Sequence, residues 1–235
     1  MRETLGTMGT VDARVGTGDL MIRIDGRRPL SAESVAALAV LCDSAEDRGE
    51  RDVVIVHVTG APERTQADDL TVALLSRWER GLRRLERLPA VTIAIADGDC
   101  GGWALDALLA TDYRIAAASV RLLVPVNAGA TWPGMALYRL AHQASAAAIR
   151  RAVLFGVPIE VGEALALHLV DELTDDLASA VTAAARLAGA FSGAELAIRR
   201  QLMLDAPTVG FDEALGVHLA ACDRALRRAS AGLRQ

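Results

Sequence analysis

The chain contains no lysine: all 25 of its basic residues are arginine. That absence excludes Schiff-base chemistry, a pyridoxal-phosphate anchor and the lysine of a P-loop in a single step. Cysteine is scarce as well. Cys42, Cys100 and Cys222 form an odd, scattered set without a CxxC pair, which argues against a disulfide framework or structural zinc and fits a reduced, cytoplasmic protein. No apolar run approaches the roughly 18 residues that a membrane span needs. The opening MRETLGTMGTVDARVGTGD has no apolar core for a signal peptide and reads as a polar lead-in. His57, His142, His168 and His218 show no HExxH or other ligand spacing, so no metal is expected. GxSxG is missing too, and with it the nucleophile elbow of an α/β-hydrolase. A net charge of −5 leaves no footprint for nucleic acid or an anionic membrane.

What is present is a chain of 235 residues, 52% hydrophobic, long enough to bury a full core. LMIRIDG (20–26) alternates like a strand, and SAESVAALAVLCDSAED (31–47) has apolar residues at helical spacing behind a capping serine. VVIVHVTG (53–60) and VTIAIAD (91–97) are near-continuous apolar runs, the pattern of strands buried on both faces. Between them, TVALLSRWERGLRRLERL (71–88) is an amphipathic helix stopped by Pro89. YRIAAASVRLLVP (113–125) suggests two short strands, and the chain is then mostly helical apart from a short strand in LVDEL. Strands alternating with helices imply right-handed crossovers and a parallel sheet, an α/β fold. The expected divisions are a lead-in over 1–18, a core over 19–173 and a helical C-terminal segment over 174–235.

The stretch DGDCGGWALD (97–106) holds the most chemistry. A strand is expected to end in its glycines, with a helix opening behind them, and a helix start carries unpaired N–H groups that polarise an oxygen. The plainer reading is that Gly98, Gly101 and Gly102 only permit a tight turn. Asp106 has three readings: a general acid or base in a dry pocket, a polar tie between loops, or a solvated carboxylate. Asp99 and Asp68 are substitutes for it. Cys100 sits where a thiol could be activated, but with no histidine nearby in sequence it reads as packing. The acids and arginines of RWERGLRRLER (77–87) read as a solvated face, with a phosphate or partner contact as the other option.

The order VVIVHVTG, LERLPAVTIAIADG, a Gly-Gly turn, ATDYRIA and then RRAVLFGVPIEVGEALALHLVDELTDD (150–176) resembles the crotonase (enoyl-CoA hydratase/isomerase) superfamily. The resemblance implies a spiral of ββα units, homo-trimers or hexamers built with the helical C-terminal segment, and no covalently bound cofactor. It also implies a pocket for an acyl-CoA, where two backbone N–H groups stabilise a thioester enolate. One would come from the turn at Gly102 and Trp103, the other from Ala67 or Asp68 in TGAPERTQADDL. Gly98, Gly101, Val126 and Asn127 would line the pocket. The family's two glutamates fall on Asp106 and on Val126, and a valine carries no proton; Asn127 beside it can only orient water. GDCGG, LLATDYRIA and TWPGMA resemble the branch of the family that forms dihydroxyphenylacetyl-CoA for dihydroxyphenylglycine. That branch implies a type III polyketide synthase and fellow crotonase-like proteins as partners. Three functions stay open: an enzyme promoting dehydration or aromatisation of a polyketide thioester, a non-catalytic accessory subunit, and a stand-alone enoyl-CoA hydratase.

Overall fold

The computed structural model describes residues 11–15, 20–48, 53–63 and 70–232. The apolar runs form the centre of one sheet. Strands β2 (Leu20–Asp25), β3 (Val53–Gly60), β4 (Val91–Gly101) and β5 (Tyr113–Ala116) lie side by side in parallel, and β10 (Glu172–Leu173) extends the row. Helices α1 (Ala32–Arg48), α2 (Val72–Leu85) and α3 (Trp103–Leu109) connect and cover them. The polar lead-in needs a correction: Val11–Val15 form β1, antiparallel to β2 with Val11 opposite Ile24. Its Val-Asp-Ala-Arg-Val alternation is strand-like, but it is too short to stand out from the polar residues around it.

Alternation sends the strands' side chains to two cores. Leu20, Ile22, Ile24, Val54, Val56 and Val58 pack under α1–α3. Ile55, Ile93, Ile95 and Ile115 face the other side, where Ala180 and Ala184 of α7 (Leu177–Ala188) cover them. The first helix of the C-terminal segment is therefore part of the sheet's own core. The two strands expected in 113–125 exist, but they do not pair with each other. β5 joins the lower half of β4, whereas β6 (Arg121–Leu123) pairs with Asp99–Gly101 at its upper end. Beyond them lie the hairpin β7–β8 (Val126–Asn127, Ala130–Thr131), α4 (Met135–Gln143), α5 (Ala146–Phe155), the short β9 (Ile159–Glu160) and α6 (Val161–Ala166). No helix among the described residues is long and apolar enough to cross a membrane.

Arginine does the tying that lysine would share elsewhere. From α8 (Gly193–Asp205), Arg200 grips Asp112 and donates to the carbonyls of Glu86, Leu88 and Ala90, where α2 ends and β4 begins. The other end of α2 is held by Thr71, whose hydroxyl accepts from the Leu74 N–H at 3.2 Å. Thr71→Ala is expected to cost about 1 kcal/mol, read as a lower urea midpoint at unchanged slope.

Candidate functional site

The glycine stretch folds differently from a simple turn. β4 does not stop at Asp97; it runs on through Gly101, with a register shift that puts Thr59 opposite Asp97 but Gly60 opposite Cys100. Gly98 and Asp99 are the surplus residues of that bulge. The corner itself is Gly102 alone, at φ 56° and ψ −129°, a conformation that favours glycine, and Trp103 opens α3 directly behind it. Three strand ends meet below this corner. A Cβ on Gly26 would lie 2.2 Å from the Gly101 carbonyl oxygen and 2.4 Å from that of Gly60. Bare glycines thus let β2, β3 and β4 converge where the parallel strands end, the side on which open α/β sheets bind ligands.

A small cleft opens at this point, lined by Arg28, Pro29, Pro62, Gly102, Trp103, Pro125 and Trp132. Arg28–Pro29, Pro62 and Gly102–Trp103 each follow a parallel strand's C-terminal end. The walls are proline and indole, and Arg28 is the only charged side chain among them. An apolar wall with one cation, itself 3.9 Å from the Asp25 carboxylate, suits an apolar group carried on an anionic handle.

Asp106 lies one helical turn behind the corner, its N–H donating to the Gly102 carbonyl at 3.0 Å. Its carboxyl turns away from the cleft into the interior, where the side chain is only 3% exposed. Arg139 of α4 faces it at 3.6 Å, and the nearby Ala136 N–H favours its ionised form. The same guanidinium binds Glu79 of α2 and Glu86, which caps that helix's C-terminus, each at 2.9 Å. Burial, reinforced by the Glu79 charge and opposed by Arg139, pushes the Asp106 carboxyl up to about 7. An acid of that strength is half ionised near neutral pH, which suits proton transfer.

No protein-family model matches the chain. A protein of Amycolatopsis orientalis named "Enoyl-CoA-hydratase" is 56% identical over 211 residues, covering 90% of this chain and 97% of that relative. A second relative, "Probable enoyl-CoA hydratase echA17" of Mycobacterium avium (strain 104), is 32% identical over 184 residues, 71% of each chain. The chain belongs to the enoyl-CoA hydratase (crotonase) family. Solved structures agree on the fold. An enoyl-CoA hydratase of Mycobacterium smegmatis superposes with a TM-score of 0.79 at 17% identity over 97% of both chains. A Thermobifida fusca relative solved with CoA gives 0.78 at 17% identity over 95% of both.

On this crotonase fold the expected site residues separate. Gly102 and Trp103 line the cleft, while Gly101 sits behind it, wedged between Ala61 and the Leu123 carbonyl. Gly98 lies out on the bulge, its N–H taking the Ser119 hydroxyl as acceptor at 3.3 Å. Val126 is 42% exposed on the β7–β8 hairpin and Asn127 is exposed beside it. Neither lines the cleft among the described residues, because the backbone carries Pro125 to the cleft and turns the next two residues outward. Ala67 and Asp68 lie outside the described residues. Of the substitutes, Asp99 binds Arg121 at the surface at 2.8 Å. Cys100 is fully buried, and burial beside Asp106 and Asp99 pushes its thiol far above the ordinary range, which leaves it protonated and packed. Among the described residues no cluster of His, Cys, Asp and Glu could hold a metal ion.

Sequence reasoning missed Arg139, Glu79 and Glu86. The acids of α2 were expected on a solvated face, yet these two turn inward, with side chains only 23% and 13% exposed. The signal was there: Glu79 and Glu86 are spaced seven apart, each next to a buried residue of the stripe Leu74, Trp78, Leu82 and Leu85. Their cation lies on another helix, more than fifty residues away, and no local pattern announces it.

Proposed function

We propose that this crotonase-type chain assists a type III polyketide synthase in forming 3,5-dihydroxyphenylacetyl-CoA from malonyl-CoA. That is the role of the auxiliary DpgB in dihydroxyphenylglycine and glycopeptide-antibiotic biosynthesis. In this reading it works in the cytoplasm as a homo-oligomer and receives a polyketide acyl-CoA thioester. The Trp103 N–H, together with one from Ala67 or Asp68, takes the thioester oxygen as acceptor and stabilises the enolate. With substrate bound, the Asp106 carboxyl swings from Arg139 toward the cleft and takes the α proton as the enolate forms. It returns that proton to the leaving β-hydroxyl, so that water departs and the carbon–carbon double bond forms.

One observation carries this reading: a carboxyl only 3% exposed, whose proton affinity that burial raises, stands one turn behind the Gly102–Trp103 corner, and the matched second position is Val126. A carboxyl that is half protonated can serve as base and then as acid in one elimination. A stand-alone hydratase of the two-glutamate type lacks its second group here. The non-catalytic accessory subunit has its own support, because Asp106 faces Arg139 instead of the cleft.

The test is to incubate the synthase with malonyl-CoA, with and without this protein, and to identify the products. Dihydroxyphenylacetyl-CoA is expected to rise several-fold as shunt products fall. An unchanged product pattern sinks the proposal, and efficient hydration of crotonyl-CoA without any synthase would favour the stand-alone hydratase.

A further inference from the structure

The interior cluster around Asp106 holds more acid than base. From α2 and its C-cap come Glu79 and Glu86, from α4 Arg139 and the Ala136 N–H, and from β4 the Cys100 thiol. Arg83 adds a second cation, binding Glu86 at 2.8 Å from the solvent side. Two guanidinium charges thus face three carboxyls, and the cluster is neutral only when one carboxyl keeps a proton. Glu86 has both cations as partners. The proton therefore belongs to Glu79 and Asp106, and burial raises the proton affinity of both. Glu79 is the more accessible of the two, 23% exposed against 3%. Asp106 Oδ1 and Arg139 Nη1 are buried with no hydrogen-bond partner among the described residues, 3.6 Å apart, so the carboxyl is not locked into a closed ion pair.

We propose that Glu79 is a positioning residue for Asp106: held on the same guanidinium, the two carboxyls share one proton, so the site keeps a proton to give although position 126 is valine. The proposal rests on Asp106 as the acid of the function proposed above. Glu79 meets the solvent and resets the pair, and Arg139 holds the two together.

The experiment is pH-difference infrared spectroscopy of the full-length protein, in which a protonated carboxyl absorbs apart from a carboxylate. The wild type is expected to show an acid carbonyl band that disappears near neutral pH and is absent in Asp106→Asn. In Glu79→Gln, with the neighbouring charge gone, the band should disappear lower by about one pH unit, a tenfold weaker hold on the proton. The pH dependence of synthase stimulation should move with it, and Glu79→Asp should bring both back toward the wild type. A band that stays at the wild-type pH in Glu79→Gln overturns the inference. Should Glu79→Gln not fold, absence of a neutral-range band in the wild type overturns it equally. If the band moves as expected but the wild type never stimulates the synthase, the shared proton stands and the proposed function falls.

Discussion

Gly26→Ala is expected to unfold the protein or to cost more than about 4 kcal/mol, well beyond an ordinary point substitution. The new methyl would sit 2.2 Å and 2.4 Å from two backbone oxygens, those of Gly101 and Gly60. Neither can swing aside as a flexible side chain would. The Gly26 N–H is bonded to the Thr59 carbonyl at 2.8 Å, so β2 is pinned to β3. On the far side, Gly101 has no slack, since its own Cβ position lies 2.8 Å from Ala61 Cβ and 2.9 Å from the Leu123 oxygen. Relief requires the ends of the central strands to part, and those ends carry Gly102 and Trp103. Any molecule that still folds should therefore also bind acyl-CoA esters more weakly. Gly98→Ala is the control: an added Cβ there meets nothing within 4 Å, and only the positive φ of 68° is strained, a cost of about 1 kcal/mol. Urea denaturation and calorimetric titration with an acyl-CoA read both variants. A Gly26→Ala protein as stable as the Gly98→Ala control would refute the close-approach argument.

The contrast between these two glycines marks how far the sequence could be read. The runs VVIVHVTG and VTIAIA are apolar at nearly every step because both sheet faces are covered, and that pattern locates β3 and β4 without further help. Periodicity likewise finds α1 and α2, and the family resemblance supplies the crotonase order of elements. What periodicity misses is pairing between distant residues. That β4 continues through DGDCG depends on Arg121–Leu123 arriving to pair with Asp99–Gly101, and a glycine-rich string viewed alone reads as a turn. The cleft depends on prolines and tryptophans from four separate loops and the start of α3, each unremarkable where it stands in the chain. Asp106 was legible as a carboxyl near the corner. Its direction was not, because the partner that turns it inward, Arg139, is set by how α4 crosses α3 after the β7–β8 hairpin.

That inward direction leads to the last expected result: Asp106→Asn should abolish stimulation of the synthase while making the protein more stable at alkaline pH relative to the wild type. The buried carboxyl stands at about 7 in the folded protein against an ordinary value of 3.8. Between those values the folded state holds a proton that the unfolded chain releases, so stability falls as pH rises. The contribution is fully present below about pH 4 and lost once pH passes about 7, a swing on the order of 4 kcal/mol. Asparagine has nearly the same shape and never ionises, so the variant lacks this term throughout. Surface carboxyls work in the opposite sense: the Asp25 and Glu195 carboxyls, held down by arginine partners, weaken the fold only as pH drops through their acidic range. Subtracting the variant's stability from the wild type's at each pH removes those shared terms and leaves the contribution of Asp106 together with the Glu79 carboxyl coupled to it. Denaturation at intervals from pH 4 to pH 8.5 measures it. A difference that stays flat with pH would mean that Asp106 is ionised throughout and paired with Arg139, which is the accessory-subunit outcome. A difference that grows toward high pH together with lost stimulation identifies the buried proton as the one the reaction uses.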